Sequence, residues 1–404
     1  MLSFIEARSI ILNSVRPLGM ERVMLLDAVG RTLADDIKAP WNMPLWNNSA
    51  MDGYAVRSAE CQTPVTLRVS GYIPAGATAT CSVDPGCAVR IMTGAPIPPG
   101  ADAVVPFEET EEGEDWVKIR NRVTEGDHIR FAGEDVKAGE TVLAAGTVIA
   151  PPGVSMLASL GAAFVPVYRK ARVAILSTGD ELVELGSRVS EGQIINSNTL
   201  TLAAAIKEIG AEPVIIGIAR DNRDSHEELL REGLDADALI TSAGVSAGDR
   251  DLVRDVLTEL GVRQLFWKVD IKPGRPTAFA LNDHKPVFSL PGNPVSTMMT
   301  FELFVRPALL RMMGRKRVIR PTVKAALTEE VSKKKGRLHL LRVRLEAADE
   351  GYLASVLGNQ STGVLKSMVQ ADGLAFLPPE KGLFAKGEPV EVHVLNRDFD
   401  MEEG

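Results

Sequence analysis

Cysteine and histidine are scarce in this sequence of 404 residues. The three cysteines, Cys61, Cys81 and Cys87, lack the CxxC spacing of zinc and redox sites, so we expect reduced thiols that mostly pack in the interior. The five histidines are scattered, and no two of them have the helical spacing that a zinc site uses. These absences argue against histidine-ligated zinc.

Excess positive charge and long apolar runs are also missing. The net charge is -8, so no overall basic field attracts nucleic acid or an anionic membrane. No stretch approaches the length of about 18 uncharged apolar residues that a membrane span needs, and the N-terminus lacks the positive flank of a signal peptide. We therefore predict a cytoplasmic protein with no nucleic-acid or membrane partner, in which an anionic substrate is met by local charge.

Length and composition indicate a modular globular protein. Hydrophobic residues make up 45% and charged residues 24% of the chain, a balance typical of soluble proteins with a buried core. Because 404 residues exceed what one core organises, about two to four domains are expected. Ser3 and Glu6 have the spacing of a capping box, which predicts a short amphipathic helix at the start.

The pattern along the chain predicts a multidomain α/β protein. Residues 43–139 contain short β-rich runs between turn clusters and form a β-rich domain, while 140–170 lead back to a helical and linker domain with residues 1–42. Apolar strands alternate with helical patterns over 171–316, which predicts a doubly wound parallel sheet with helices on both faces. Residues 317–404 return to strands and are expected to form a C-terminal β-barrel.

Polar or glycine-rich loops follow four of the predicted strands in the α/β segment. Ligands of open parallel sheets bind outside the carboxyl ends of the strands, so these loops lie where binding is expected. The loops are STGDE (177–181), TSAGVSAGD (241–249), KPGRP (272–276) and LPGNP (290–294).

The loop 241–249 leads directly into a predicted helix, whose free N–H groups and positive dipole end could face a phosphate. Gly244 and Gly248 would allow close main-chain approach, and Ser242 and Ser246 would supply hydroxyl donors. An ordinary tight turn is the alternative, because neither of the glycine patterns of nucleotide-binding loops occurs here.

The same edge carries a second helix start and three cations. Asn293 can cap a helix that begins at Pro294, although a well-made helix start explains both residues without a ligand. Lys268, Lys272 and Arg275 could hold a polyphosphate, since a charge pair near a protein surface is worth about 4 kcal/mol at ~4 Å. Solvated surface charge is the alternative for each of them.

Carboxylates accompany these cations. Asp180, Glu181, Asp249 and Asp251 lie in the same loops, and hard carboxylates beside a phosphate site suggest Mg²⁺. Helix capping explains Asp249 or Asp251 equally well.

The stretch PLWNNSAMDGYAVR (44–57) is unusual for a turn because it contains Trp46 beside Asp52 and Gly53. Its residues are compatible with two interpretations, a packed loop and a functional site.

Six motifs occur together in the order in which one protein family has them, and this combination is far more specific than any single loop. Together they closely resemble the MoeA-like family of molybdopterin molybdenumtransferases, which includes the enzymatic domain of gephyrin, and the likeness extends over essentially the whole chain. The motifs are NNSAMDGYAV, RIMTGAPIPPGADAVV, ILSTGDEL, TSAGVSAGDRDLV, WKVDIKPGRPTAF and SLPGNPVS.

The resemblance implies a homodimer of elongated four-domain subunits that inserts molybdenum from molybdate into adenylylated molybdopterin and releases AMP. It also implies an active cleft between the α/β domain of one subunit and the β domain of its partner, Mg²⁺ as cofactor, and transient contacts with other molybdenum cofactor enzymes. By motif, the positions that the family uses functionally are Asp52, Thr93, Glu181, Asp237 and Asp251, with Glu181 and Asp251 as metal ligands. Positions that match its substrate and anion contacts are Lys268, Lys272, Arg275, Pro291 and Pro294.

Two positions depart from the family pattern. Ala243 stands where the family commonly has glycine, so its Cβ could crowd a close main-chain approach. Arg275 stands where a lysine is frequent; it keeps the charge and adds bidentate geometry.

Two other functions are compatible with parts of the sequence. A molybdopterin adenylyltransferase uses a related α/β domain with a similar loop, but it would not need SAMDGYAV or the β domain. A scaffold or anchoring protein with the same fold is the third reading, although no long linker or appended module is visible.

Overall fold

A computed structural model describes residues 1–243, 252–349 and 351–396 of the chain. It divides into two compact units, which we describe separately. The α/β unit comprises Met1–Ala34, Gly146–Ile149 and Val165–Gly404, and the β unit comprises Asp35–Ala145 and Ala150–Phe164. The four-domain division expected from the sequence stays a prediction.

The described residues form eight α-helices. The first begins with the predicted capping box, in which the Ser3 hydroxyl accepts from the Glu6 N–H at 3.3 Å and the Glu6 carboxylate accepts from the Ser3 N–H at 2.8 Å. The helices are α1 (Phe4–Ser14), α2 (Pro151–Ser159), α3 (Ser197–Glu208), α4 (Arg223–Gly233), α5 (Leu252–Glu259), α6 (Pro294–Thr300), α7 (Arg306–Met312) and α8 (Leu365–Val369).

A π-helical turn, Phe301–Val305, joins α6 to α7, so the single closing helix expected after the LPGNP loop contains an irregular turn. Pro307 explains it physically, because proline has no N–H to donate to the Leu303 carbonyl and its ring would clash with that carbonyl in a regular helix.

The described strands fall into three groups along the chain. The first group is β1 (Met20–Met24), β2 (Ile37–Lys38), β3 (Asn48–Ser49), β4 (Gly53–Val56), β5 (Val65–Ile73), β6 (Cys87–Ile91), β7 (Ala103–Pro106), β8 (Thr110–Glu112), β9 (Trp116–Ile119), β10 (Ile129–Arg130), β11 (Thr141–Leu143) and β12 (Phe164–Tyr168). The second group is β13 (Arg172–Thr178), β14 (Leu182–Val183), β15 (Ile194–Ile195), β16 (Glu212–Ala219), β17 (Ala238–Ser242), β18 (Arg263–Phe266), β19 (Ile271–Lys272), β20 (Ala278–Asn282) and β21 (Lys285–Leu290). The third group is β22 (Thr322–Leu327), β23 (Val331–Ser332), β24 (Leu338–Ala348), β25 (Gly351–Val356), β26 (Gly373–Leu377), β27 (Leu383–Phe384) and β28 (Pro389–Val394).

The β unit is built on a six-stranded sheet with the order β7-β4-β6-β5-β9-β8. All neighbours are antiparallel except the parallel pair β5–β6. Both faces of β4 are buried, because Tyr54 and Val56 enter one hydrophobic cluster and Ala55 enters another. This burial fixes the loop that precedes β4 and contains the SAMDG motif.

The α/β unit contains a second six-stranded sheet with the order β16-β13-β17-β21-β20-β18. The first four strands are parallel, and β20 and β18 add an antiparallel edge that the sequence analysis did not identify. Side chains of β13 alternate between two cores: Val173 and Ile175 pack with α3, whereas Ala174 and Leu176 pack with α4 and α5. The prediction of a doubly wound sheet with helices on both faces is confirmed.

The C-terminal strands close into a barrel. Neighbouring strands pair in the order β24-β25-β22-β28-β26, and β26 also pairs with β24, which closes the ring of five. β19 pairs with β24 as an additional parallel strand. The predicted C-terminal β-barrel is therefore confirmed. All three cysteines are free thiols, and no described helix is both long and apolar enough to cross a membrane.

Candidate active site

The order of the parallel strands marks one crevice in the α/β unit. β13 lies between β16 and β17, so the chain winds first to one side of β13 and then to the other. In open α/β sheets this reversal opens a crevice at the carboxyl ends of the two inner strands. Ser177 of β13 and Ser242 of β17 are paired there, and the loops that contain Glu181 and Ala243 follow them. The predicted STGDE and TSAGV loops thus flank the topological switch point.

Asn198, in the first turn of α3, joins two of the predicted loops. Its side-chain amide donates to the Ser242 hydroxyl and to the Gly292 carbonyl, both at 2.8 Å. α3 is held at this edge by a buried network in which Asn196 caps the helix and Thr199 contacts the Ser177 hydroxyl at 2.9 Å. Asn198 was not predicted from the sequence, although its place in the first turn of a helix beginning at this edge was a usable signal.

The loop after β13 is fixed by Arg220, which follows β16. Its guanidinium donates to the carbonyls of Asp180 and Leu182 at 3.4 and 3.1 Å. The Asp180 carboxylate accepts from the Asp221 N–H at 3.2 Å, which commits that carboxylate to the loop. Glu181 differs: its carboxylate is exposed and has no hydrogen bond or ion pair to another described residue.

Gly179 makes this arrangement of Glu181 feasible. Its φ is +134°, a conformation that side chains disfavour, and a Cβ there would collide with the Glu181 carboxylate. The Gly179 N–H also donates to the Ala219 carbonyl at 3.1 Å, which ties the loop to the end of β16. The loop therefore presents one unengaged carboxylate at the switch point.

The loops after β17 and β21 pack tightly against each other. The Ala243 N–H donates to the Leu290 carbonyl at 3.1 Å, and Ala243 has a left-handed φ of +76°. A Cβ at Gly292 would lie 3.1 Å from the Ala243 Cβ, so a side chain at 292 would require one of the two loops to shift slightly. The departure from the family pattern at Ala243 thus falls on a residue whose conformation favours glycine.

α6 begins at Pro294 with Asn293 as its N-cap residue, as predicted, but the expected side-chain capping bond is absent. The Asn293 side chain makes no capping hydrogen bond, and its carbonyl instead accepts from the Thr297 N–H at 2.9 Å. The Thr297 hydroxyl also donates to the Pro291 carbonyl at 2.5 Å, which fixes the loop from the helix side. Pro291 and Pro294 therefore shape this loop through backbone contacts.

Five predicted site residues, Gly244, Ser246, Gly248, Asp249 and Asp251, lie outside the described residues. The phosphate-binding loop and the Asp251 metal ligand accordingly stay predictions. Ser242, which precedes those residues in the same loop, is buried, and its hydroxyl accepts a hydrogen bond from Asn198.

The predicted cations lie on the KPGRP loop and beside it. Lys272, in β19, is paired with His339 of the barrel and is exposed, while Lys268 is half-buried. The Arg275 Nε atom is buried and has no hydrogen-bond partner among the described residues. A Cβ at Gly274 would lie 2.6 Å from the Thr300 side chain, so the loop packs directly on α6.

Burial, together with the nearby positive charges of Lys272, Lys333 and Arg337, lowers the pKa of His339 to about 4. His339 is therefore neutral near pH 7 and adds no charge beside Lys272.

Arg342 is a further cation that the sequence analysis missed. It is fully buried, and its Nη2 atom donates to the carbonyls of Asn359 and Ser361 at 3.1 and 3.2 Å. Its Nε and Nη1 atoms have no partner among the described residues, and burial lowers its pKa. The loop that it holds reaches α6, where the Val295 N–H donates to the Thr362 carbonyl at 3.4 Å. The glycine-rich and polar segment GNQSTG (358–363) that follows it was the available signal.

The structure does not bring Asp237 together with these residues. Asp237 precedes β17 rather than following it, so it lies at the amino edge of the sheet. Its carboxylate accepts two hydrogen bonds from Arg169, at 2.6 and 2.7 Å, and one from the Arg172 N–H at 2.9 Å. Burial would raise the pKa of Asp237, but these hydrogen bonds outweigh it and hold the pKa below its ordinary value.

Asp52 and Thr93 meet within the β unit. The Asp52 Oδ1 atom accepts from the Thr93 N–H at 2.7 Å and from the Thr93 hydroxyl at 2.8 Å. These two hydrogen bonds hold the pKa of the exposed Asp52 below its ordinary value. Thr93 thus orients the Asp52 carboxylate, and the functional roles expected of both residues stay predictions.

The arrangement is compatible with a weakly ligated divalent cation. In the described parts of the chain, no three His, Cys, Asp or Glu side chains are grouped to hold a metal. Mg²⁺ needs only one or two protein carboxylates when substrate phosphates supply other oxygens, and the unengaged Glu181 meets that need.

A separate cavity is lined by none of these residues, although Asp270 and Leu338 of its wall are close in sequence to Lys272 and His339. It has a volume of about 710 Å³ and is lined by α1 and the barrel, including Phe4, Arg8, Phe376 and His393. None of the predicted site residues lines it, so strand topology, and not cavity size, identifies the candidate active site.

Comparison with known proteins covers nearly the whole chain. Residues 2–161 match the family model described as MoeA N-terminal region (domain I and II), residues 174–311 match a probable molybdopterin binding domain, and residues 324–395 match the MoeA C-terminal region (domain IV). The chain is 38% identical over 403 residues to molybdopterin molybdenumtransferase 2 of Mycobacterium tuberculosis, covering 97% of this chain and 99% of the relative.

Two further similarities agree with this. The molybdopterin molybdenumtransferase of Haemophilus influenzae is 37% identical over 401 residues, which cover 98% of this chain and 99% of the relative. A solved structure of the molybdopterin biosynthesis MoeA protein from Pyrococcus horikoshii superposes with a TM-score of 0.84 at 31% identity, covering 98% of this chain and all of that chain.

Proposed function

Because this chain belongs to the molybdopterin molybdenumtransferase family, we propose that it inserts molybdenum into adenylylated molybdopterin and releases AMP. The chain is a transferase of a late step in molybdenum cofactor biosynthesis, with a molybdopterin-type substrate and molybdate. The proposal itself concerns three points: the adenylylated form of the substrate, the release of AMP and the roles of individual residues.

The contact of Asn198 with Ser242 and Gly292 is the observation that carries the proposal. It unites the loops after β17 and β21 beside the switch point, where an open α/β sheet binds its ligand. A ligand spanning both loops and the STGDE loop must be elongated, and a nucleotide linked to a pterin has that form. Asn198 then orients the Ser242 hydroxyl as a hydrogen-bond donor toward the ligand.

Positive charge near α6 supports binding of the anionic groups. Lys272 is exposed, and Arg275 and Arg342 have buried nitrogen atoms without partners among the described residues. Molybdate is a dianion, and a charge pair near a protein surface is worth about 4 kcal/mol at ~4 Å. We assign Lys268, Lys272 and Arg275 to the anions, with Arg342 fixing the neighbouring loop.

Cleavage of a phosphoanhydride requires stabilisation of the negative charge that develops on its oxygens. Glu181, with Asp251, would hold Mg²⁺, which would supply Lewis-acid stabilisation of that charge. Lys272 and Arg275 would share in neutralising it. Asp52, kept ionised by Thr93, would position water or a metal-bound group at the reacting centre.

The proposal includes a homodimer, as the resemblance implies, in which the cleft is completed by the β domain of the second subunit. Light scattering on the purified protein tests this part separately. A mass of one chain at all concentrations would contradict the dimer but would leave the transferase activity itself open to measurement.

The decisive experiment mixes the purified chain with adenylylated molybdopterin, molybdate and Mg²⁺ and follows AMP and molybdenum-bound cofactor. We expect AMP release that depends on both molybdate and Mg²⁺. Well-folded protein that releases no more AMP than the metal-free control would contradict the proposal.

Two further reactions separate the alternatives. Molybdopterin with MgATP, without molybdate, gives adenylylated product only if the chain is an adenylyltransferase. Binding of adenylylated molybdopterin without turnover under any divalent metal would favour a scaffold with the same fold. The proposed transferase predicts neither outcome.

A further inference from the structure

A second cavity lies within the α/β unit, with a volume of about 470 Å³. Basic side chains dominate its lining, while Asp27 and Glu208 are the acidic residues that line it. This balance is opposite to that of the chain, whose net charge is -8. The basic residues are Arg31, Lys170, Lys207, Arg306, Arg315 and Arg317.

The cavity is separate from the candidate active site. Lys170 lies two residues before β13, and Gly210 lies two residues before β16, so the cavity opens at the amino edge of the sheet. The switch-point loops follow the carboxyl ends of the same strands. A strand of seven residues such as β13 spans about 20 Å at roughly 3.3 Å per residue, which separates the two edges.

Acidic residues outside the lining partly neutralise the arginines of the cavity, since Arg31 pairs with Glu21 and Arg306 pairs with Glu302 at 3.7 Å. Glu208 is shared with Arg320, at 3.3 Å, which lies outside the lining. Lys170, Lys207 and Arg317 have neither an ion pair nor a hydrogen bond from their side chains to any other described residue. Asp27 alone cannot balance the three charges. Proximity to the C-terminal end of α3 explains Lys207, but it does not explain Lys170 or Arg317, which lie outside the helices.

Arginines of the wall are already fixed by main-chain carbonyls. Arg31 donates to the Tyr168 carbonyl at 2.8 Å, and Arg315 donates to the Gly30 carbonyl at 2.8 Å. These bonds reduce the side-chain entropy that a ligand must otherwise remove on binding. The cavity therefore combines fixed guanidinium groups with exposed lysines that can approach a ligand.

We propose that this cavity binds a tetrahedral dianion, either free or as part of a small molecule. Guanidinium and ammonium groups converging on one volume match the charge and the oxygen geometry of such a group. Two sources share this chemistry, a phosphate monoester and the oxyanion substrate molybdate. The site is independent of the reaction proposed above, because it uses none of the same residues.

Calorimetric titration of the full chain with molybdate, inorganic phosphate and ribose 5-phosphate tests the proposal. The double variant Lys170→Glu/Arg317→Glu should bind the preferred anion at least about tenfold more weakly than the wild type. Lys386→Glu is the matched control, since it reverses an exposed charge outside the cavity and should bind as the wild type does. Tighter binding of molybdate identifies the free oxyanion as the source, and tighter binding of ribose 5-phosphate identifies a phosphate monoester.

Equal affinity of the double variant and the wild type would overturn the proposal, as would the absence of saturable binding up to about 10 mM of each anion. If the double variant does not fold, as judged by circular dichroism and thermal unfolding, Lys170→Gln/Arg317→Gln replaces it under the same criteria. Anomalous diffraction at the molybdenum edge from crystals equilibrated with molybdate gives the position directly. Molybdenum found at the switch point and absent from this cavity would exclude molybdate as its ligand and leave only the phosphate monoester to satisfy the titration.

Discussion

Thr93 donates two hydrogen bonds to a single oxygen of Asp52, from its main-chain N–H at 2.7 Å and from its hydroxyl at 2.8 Å. The Asp52 Oδ2 atom makes no hydrogen bond to another described residue. One oxygen is thus used for orientation and the other is available to a ligand. This arrangement suits a carboxylate that holds a metal or a water molecule in one place.

Thr93→Val should raise the pKa of Asp52 toward its ordinary value, because the hydroxyl that stabilises the ionised carboxylate is lost. Turnover should fall by about tenfold, as for loss of a group that orients a functional side chain. Thr93→Ser keeps the donor and is the matched control. NMR titration of the Asp52 carboxyl carbon, assigned with Asp52→Asn, measures the change. Identical titration curves for Thr93→Val and the wild type would exclude this role.

Ala243→Gly should stabilise the protein by about 0.5–1 kcal/mol. The left-handed φ of +76° costs a residue with a Cβ roughly 1–2 kcal/mol, and the greater freedom of glycine in the unfolded chain offsets part of the gain. Ala204→Gly, at an exposed position of α3, should instead destabilise by about 1 kcal/mol. Urea unfolding of both variants checks the opposite signs, and a destabilised Ala243→Gly would show that the Cβ makes a useful contact.

Asn198→Ala should raise KM for the pterin substrate by about tenfold while changing kcat little, because two hydrogen bonds of about 1 kcal/mol each no longer unite the binding loops. Thr201→Ala, in the same helix, is the control because the Thr201 side chain makes no hydrogen bond to a described residue. Steady-state kinetics separate the two parameters. An unchanged KM would show that the contacts of Asn198 do not contribute to the proposed substrate site.

Asp237→Asn should lower stability and leave kcat within about twofold. The lowered pKa of Asp237 means that its contribution to stability is present above the unfolded value of about 3.9 and is lost as pH falls through the folded value. At pH 7 the variant should lose about 1 kcal/mol, since the pair with Arg169 is partly open to solvent. Urea unfolding at pH 7 and at pH 3 gives the comparison. A large loss of kcat at unchanged stability would instead support the catalytic role that the resemblance implies.

His339→Gln should reduce the loss of stability in mild acid. The folded pKa of about 4 lies below the unfolded value of about 6.5, so the unfolded chain binds the proton first. Stability from this group is complete above about pH 6.5 and is lost as pH falls toward 4. Lys272→Gln should raise the pKa of His339, which NMR titration of the imidazole measures. No change would show that Lys272 does not act on the imidazole, contrary to the pairing of β19 with β24.

Part of the candidate site could be predicted from the sequence, because its loops directly follow predicted strands. The apolar runs RVAILST (172–178) and EPVIIGIA (212–219) form β13 and β16 within the alternating segment 171–316, so the edge at which Glu181 lies was predictable from alternation and loop composition. Asn198 and Arg342 were not predicted as site residues, because neither belongs to one of the four loops that follow the predicted strands. Asp237 was assigned through motif likeness, although a residue before a strand lies at the opposite edge.

What the sequence determined by itself was the set of local elements: the Ser3 capping box, the strands of the parallel sheet and the barrel strands, each governed by side-chain periodicity and turn chemistry. Tertiary structure decided which of them meet. The position of β13 between β16 and β17 created the switch point, and the hydrogen bonds of Asn198 to Ser242 and Gly292 joined the loops that follow β17 and β21. The physical reason is that strand order and long-range hydrogen bonds depend on how whole faces pack, which no short stretch of sequence records.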